Sequence, residues 1–261
     1  MTRIFVFALS LALLMATAGP AGAERVLHPL PRGSVLTTDQ GDEVVVDRDR
    51  LDAISRASQG SVDPSLEAHW TTADFEVFFS YDPIGYVQMD DWDDLDVDDL
   101  WASYVEGAQD QSKVFGYEVR PLRWIIQPTL DHVNSVAYYA IEFQFGDQLP
   151  VVNMAVYSFG RHGYEEMTLV QDSDTFSAVN AKDVARRIAG AYKFVPGKTY
   201  ADSQAGDQIA AMGAGGIIAA ALGMKFGKSL FMIALLFMKK LWFLIILVPV
   251  TLWKFVRARF A

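Results

Sequence analysis

The sequence predicts an α+β fold, an antiparallel sheet with packed helices, plus a C-terminal membrane-anchoring helical region. Three observations carry this reading. Several runs between 114 and 170 are rich in Val, Tyr, Trp, Ile and Phe and are separated by turn residues, as consecutive hairpin strands are. Helical periodicity flanks them on both sides. Residues 206–261 form an almost continuously apolar tract whose only other feature is scattered Lys and Arg.

Taken in order, residues 24–47 read as extended chain punctuated by Pro29 and Pro31, with a short strand over Glu43 to Val46. A polar helix is expected from Asp47 to about Ser58, with Leu51, Ile54 and Ala57 as a narrow apolar face, and Gly60 to Pro64 ends it. Trp70 to Tyr81 reads as one strand closed by Asp82-Pro83 and Gly85. Asp96 is placed to cap a helix whose apolar positions are Val97, Leu100, Trp101, Tyr104 and Val105. Strands follow over Val114 to Ile126, Ser135 to Phe145, Val151 to Phe159 and Tyr164 to Val170, with Pro128 to Asp131 and Gly160 to Gly163 as turns. The last helix of the body is expected over Ala178 to Tyr192, burying Val179, Val184, Ile188 and Tyr192.

Charge divides the chain. Residues 24–205 carry 14 Lys+Arg against 31 Asp+Glu, whereas residues 206–261 carry 7 against 1. So acidic a body repels nucleic-acid phosphates, and no nucleic acid is expected as a partner. Residues 1–23 have the form of an export signal, with Arg3 at the start, an apolar core from Ile4 to Ala18 and a small-residue cleavage site at Ala21-Gly22-Ala23. The expected organisation is therefore a signal peptide over 1–23, an exported acidic α+β domain over 24–205 and a membrane anchor over 206–261. Within the anchor, residues 208–224 are the expected span and 225–257 a cationic helix lying in the interface, whose six cations, of the seven in the anchor, share an arc of about 120°. A rival reading makes 229–253 the span, at a cost of about 2.5 to 3.5 kcal/mol each for Lys239 and Lys240. Both put the body on the periplasmic side of a bacterial inner membrane and the C-terminus in the cytoplasm, by the positive-inside rule. Gly215, Ala219, Gly223 and Gly227 recur every four residues and suit helix–helix self-association.

Chemistry-bearing motifs are sparse. There is no phosphate-cradling glycine loop, zinc-spaced His pair or nucleophile elbow, and no cofactor is expected. The acidic run from Asp90 to Asp99 gives Asp94, Asp96 and Asp98 the alternate spacing of a calcium loop's first ligands, but Asp99 and Val105 stand where its turn glycine and bidentate Glu belong, which favours helix capping. Gly160-Arg161-His162-Gly163-Tyr164 places a cation and an imidazole in a tight connection. Arg161 and His162, with Trp124 and Tyr164 as aromatic contacts, are the candidate ligand-binding residues.

The motifs Gly85-Tyr86-Val87, Asp90-Asp91 with Leu95-Asp96-x-Asp98-x-Leu100, Asn153 ahead of Gly160-Arg161-x-Gly163, and Phe194-x-Pro196-Gly197-Lys198-x-Tyr200-Ala201-Asp202 before Gly206-Asp207 together resemble an uncharacterised bacterial family of membrane-anchored exported proteins. The resemblance covers about 70–261 and implies topology rather than a reaction. The expected function is a non-enzymatic binding or envelope-associated role with a protein or envelope ligand. Two alternatives stand beside it: an enzyme using a pocket near Arg161, His162, Asp131 and His132, and divalent-cation binding by the aspartate run.

Overall fold

A computed structural model describes residues 24–59 and 61–223. The 1–23 leader, the interfacial helix over 225–257, the rival span over 229–253 and Gly227 lie outside the described residues. Among the described residues, ten strands form two antiparallel sheets. The larger has the order β3 (Glu43–Val45), β4 (Leu66–Thr71), β5 (Glu76–Asp82), β9 (Tyr164–Asp172), β8 (Val151–Phe159), β7 (Val136–Phe145) and β6 (Val119–Asp131). The smaller has β1 (Arg25–Leu30), β2 (Ser34–Asp39) and β10 (Tyr192–Phe194). Four helices pack around them: α1 (Arg48–Gln59), α2 (Val97–Phe115), α3 (Ala181–Ala191) and α4 (Ala214–Gly223). The chain is α+β, as its strand runs predict.

The central strands are covered on both faces, so β8 is buried at every residue and reads as an unbroken run rather than an alternation. One face, with Trp70, Phe79, Met154, Val156 and Met167, lies under α3 and the small sheet. The opposite face, with Tyr139, Phe143, Tyr157 and Phe159, lies under α2 and α4. A satellite of Val45, Leu51, Leu66 and Phe78 lies beneath α1.

Local chemistry sets the ends of α2. Asp96 caps its start, its carboxylate accepting from the Asp98 and Asp99 amides at 2.9 and 3.0 Å. Gly116, at φ +74°, closes it in the left-handed conformation.

Four expected elements differ. The helix α2 extends through Phe115, so the strand expected from Val114 starts at Val119, and it continues through the expected Pro128–Asp131 turn. Proline is tolerated there because β6 is an edge strand with register shifts. Trp70 to Tyr81 is two strands with a Thr72–Phe75 turn between them, closed by Thr72 Oγ1 bonds to the Asp74 and Phe75 amides. The last body helix starts at Ala181 behind a 3-10 turn, which leaves Val179 95% exposed, and Tyr192 is buried as the first residue of β10.

Past residue 205 the chain stays paired with the body. Tyr86 pairs with Ile209 in a parallel bridge, and the Ala210 and Ala214 amides donate to the Tyr86 and Gln88 carbonyls. Residues 208–213 are therefore non-helical and zipped onto the body, and the continuous helix expected over 208–224 begins only at Ala214. Asp91 receives that start, its two oxygens accepting from the Gly215 and Gly216 amides at 2.9 Å each. A Cβ on Gly215 would sit 2.7 Å from the Asp91 carbonyl oxygen, so this glycine, expected to serve contact between helices in lipid, permits docking onto the body. Ile217, Ile218 and Leu222 are buried in the α2 face. Among the described residues no helix is long and apolar enough to cross a membrane.

Candidate functional site

A cleft opens at one end of the large sheet, where the β6–β7 turn meets the last turn of α3 and β10. Its volume is about 530 Å³, within the range of small-molecule sites. Tyr138, Phe159, Tyr192, Phe194 and Tyr200 give it apolar walls, and Arg186, Lys193 and Asp131 stand at the rim with Ser135, Ser158 and Thr199.

Each wall has a local cause. Asp131 closes the β6–β7 turn by accepting from the Val133 and Asn134 amides and the Asn134 side chain, and these bonds, the Asn134 side chain first, hold its carboxyl below the usual range. Ser135, at φ +54°, is the one described residue other than glycine in the left-handed region, and its carbonyl accepts from the Phe159 amide at 2.9 Å. Gly160 lets the Phe194 ring approach; a Cβ there would stand 2.7 Å from it. The Tyr200 hydroxyl donates to the Val87 carbonyl at 2.8 Å and its ring stacks on Tyr86.

The residues expected to bind ligand are distributed differently. Arg161 forms a two-pronged ion pair with Asp207, both bonds 2.8 Å, which fastens the β8–β9 turn to the segment leading into α4. The Arg161 side-chain bond and the Gln204 amide hold the Asp207 carboxyl down at about 2. His162 and His132 are exposed. No hydrogen bond or ion pair joins Arg161, His162, Asp131 and His132 to one another among the described residues, and only Asp131 of these four lines the cleft.

Trp124 and Tyr164 do belong to one arrangement. Rings run diagonally across four strands from Trp124 through Tyr139 and Tyr157 to Tyr164, at centroid separations of 6.2, 6.2 and 5.7 Å, with Trp101 of α2 at the Trp124 end. Tyr164 donates to Asp82 and Tyr157 to Glu166. Burial raises the hydroxyl pKa of Tyr139, Tyr157 and Tyr164. The ladder is part of the packed α2 face and lies away from the cleft, apart from Tyr164, which lines a second cavity of about 240 Å³ with Arg32, Tyr81 and Glu166.

Of the aspartates weighed as calcium ligands, Asp94 and Asp98 are exposed and Asp96 is engaged in capping. Among the described residues no three His, Asp or Glu side chains are grouped to hold a metal ion.

The sequence matches the family described as protein of unknown function DUF2167 over residues 27–250. The chain belongs to that family. The DUF2167 match reaches further toward the N-terminus than the motifs at 70–261 suggest, and so takes in the small sheet as well as the large one. No curated protein matches the chain. Among solved structures, the solution structure of cyanobacterial PsbP (CyanoP) from Synechocystis sp. PCC 6803 is 12% identical with a TM-score of 0.39, covering 69% of this chain and 98% of that one. A likeness at that score supports no argument about this DUF2167 chain.

Reading side chains one motif at a time misses the cleft, because its walls come from four separate stretches. A signal was available in the short spacing of Tyr192, Phe194 and Tyr200, three aromatics around the Pro196-Gly197 turn.

Proposed function

We propose that this protein is a non-enzymatic, membrane-tethered binding module of the bacterial envelope, and that its ligand seat is the cleft between the β6–β7 turn, α3 and β10. The observation that carries this is the lining itself. Aromatic walls with Arg186 and Lys193 at the rim suit an amphipathic ligand with a flat apolar body and one anionic group, in a body whose net charge is otherwise strongly negative. Lys193 has no ion pair among the described residues, and Arg186 has an exposed ion pair with Asp183 at 3.3 Å and a weaker electrostatic interaction with Asp131. The scatter of Arg161, His162, Asp131 and His132 argues in the same direction, since general acid–base work needs such groups within hydrogen-bond reach.

The tether belongs to the same proposal. With 208–213 zipped to the body and α4 docked, the apolar run left for the bilayer is 229–253, and its many Leu, Ile and Phe residues offset the cost of Lys239 and Lys240. Leader, body and tail then give an exported domain held close to the outer face of the inner membrane.

The test uses 1-naphthalenesulfonate as a probe, titrated into the full chain in non-ionic detergent. Binding is expected to weaken about tenfold in Arg186→Ala and again in Lys193→Ala, the effect of losing one charge-assisted contact each. His132→Ala and Trp124→Phe should leave it unchanged. A probe that fails to bind, or that binds both cation variants as it binds the parent chain, rejects the cleft as the seat.

A further inference from the structure

Two carboxyl groups lie in the seam between the large and small sheets. Glu165 is 0% exposed, turned inward because it shares the Met167 and Leu169 face of β9. Glu67 is 4% exposed and falls where the β4–β5 register shifts between Leu66 and Ala68, an irregularity that re-aims a side chain. The small sheet closes over them. Tyr192 of β10 donates its hydroxyl to Glu165 Oε2 at 3.1 Å, and Ser34 of β2 stands beside that hydroxyl. Arg32, in the β1–β2 turn, places Nε 2.7 Å from Glu67 Oε1 and its guanidinium over the Tyr81 ring at 5.2 Å.

Glu67 Oε2 and Glu165 Oε1 are buried with no hydrogen-bond partner among the described residues. Buried polar atoms left this way are costly, and a buried carboxylate far more so. A buried water can bridge such atoms but does not offset carboxylate charge; a cation or a proton does, and charge decides between those two. Arg32 already pairs with one of the two carboxyls, Glu67, and leaves the other without a counter-charge in contact. A divalent metal ion would add surplus positive charge, whereas one proton leaves a Glu67–Arg32 ion pair beside a neutral Glu165.

We propose that Glu165 and Glu67 form a buried proton-binding site, with the proton on Glu165, that latches the small sheet onto the large one. The site stands apart from the cleft reading and does not need it, although Tyr192 belongs to both. The groups acting on Glu165 are Glu67 from β4, Tyr192 from β10, Arg32 from the β1–β2 turn, Glu166 from its own strand and Tyr81 from β5, while Ser34 of β2 acts on Tyr192 and Lys198 on Glu67. Burial first, and then the Glu67 charge, push Glu165 well above the usual carboxyl range, with the Tyr192 bond and Arg32 opposing. The folded chain thus holds a proton that the unfolded chain releases at lower pH. The latch is fully stabilising below the ordinary glutamate range and is lost as pH rises toward the raised value.

Native-state hydrogen exchange on the full chain in non-ionic detergent reads this directly. After correction for intrinsic exchange, the opening constant of the β2 and β10 amides should rise by up to tenfold per pH unit where Glu165 ionises. In Glu165→Gln, which keeps the shape without the charge, it should stay flat and match the parent chain at low pH. The side-chain carbon-13 resonance of Glu165 in the parent chain should be that of a neutral acid at pH 6. A carboxylate resonance at pH 6, or the same slope in Glu165→Gln, overturns the proposal; if the variant does not fold, the carbon resonance alone decides. No ligand enters these measurements, so their failure is separate from failure of the cleft.

Discussion

The two faces of the large sheet use acidic residues in opposite ways. On the α2 and α4 face the acids that matter stand outside the core, Asp96 and Asp91 receiving the first amides of the two covering helices. On the α3 face two glutamates lie inside, beneath the small sheet. A carboxylate at a helix start is stabilised by amides that need a partner in any case, while the same group in a seam must take up a proton or an ion pair. One face is therefore closed by charge at its margin and the other is made sensitive to charge at its centre. The difference also gives α4 a role of its own: it completes the first face, ahead of the tail proposed above as the tether.

Truncation sharpens this most. A chain ending after Lys228 keeps α4 and should yield a folded body extracted by carbonate. One ending after Asp207 removes Ile217, Ile218 and Leu222 from the α2 face, each contributing about 1.5 to 3 kcal/mol of burial, and should lose cooperative melting and aggregate. Carbonate extraction and thermal melting of the two proteins check the pair. A membrane-retained product ending at Lys228 would return the crossing to 208–224.

How much of this was legible follows from what sequence patterns encode. The central strands, the Asp96 cap and the turn at Gly160 to Gly163 were readable because alternation, capping and glycine are local signals. Within that turn Gly160 answers to the Phe194 ring rather than to an unusual backbone angle, while Gly163 avoids the Asp82 carbonyl, 2.1 Å from where its Cβ would lie. The Thr72–Phe75 turn carries no glycine or proline and so passed as strand. Asp91 looked like one carboxylate among many, because its partner amides lie more than a hundred residues away. Glu165 could have been placed from the phase it shares with Met167 and Leu169, but Glu67 could not, since a register shift follows from pairing between strands. Gly215 reads as a contact between helices in lipid because small residues permit close approach to any neighbour, and composition does not say which.

A smaller effect separates the two helix starts. Asp91→Ala removes acceptors from two amides of a docked helix and should cost about 2 kcal/mol, with exchange of the α4 amides accelerated ahead of the rest of the body. Asp96→Ala opens only a solvent-facing cap, for about 1 kcal/mol, and should leave α4 exchange unchanged. Equal exchange in both variants would mean that Asp91 does not hold α4.

The smallest expected effect lies on the opposite face and has the opposite sign. Gly190 sits in the last turn of α3, and a Cβ built there meets nothing within 4 Å, unlike Gly215 of α4, whose Cβ would press on the Asp91 backbone. Glycine is about 1 kcal/mol poorer than alanine in a helix interior, and less so near an end. Gly190→Ala should therefore stabilise the body by about 0.5 kcal/mol, raising its melting temperature by a degree or two. Gly215→Ala should lower it, because the added methyl forces the α4 start off Asp91. The same substitution thus gains on a helix that rests on side chains and loses on one that rests on a carboxylate and its backbone; a shift of the same sign at both positions would break the distinction between the two faces.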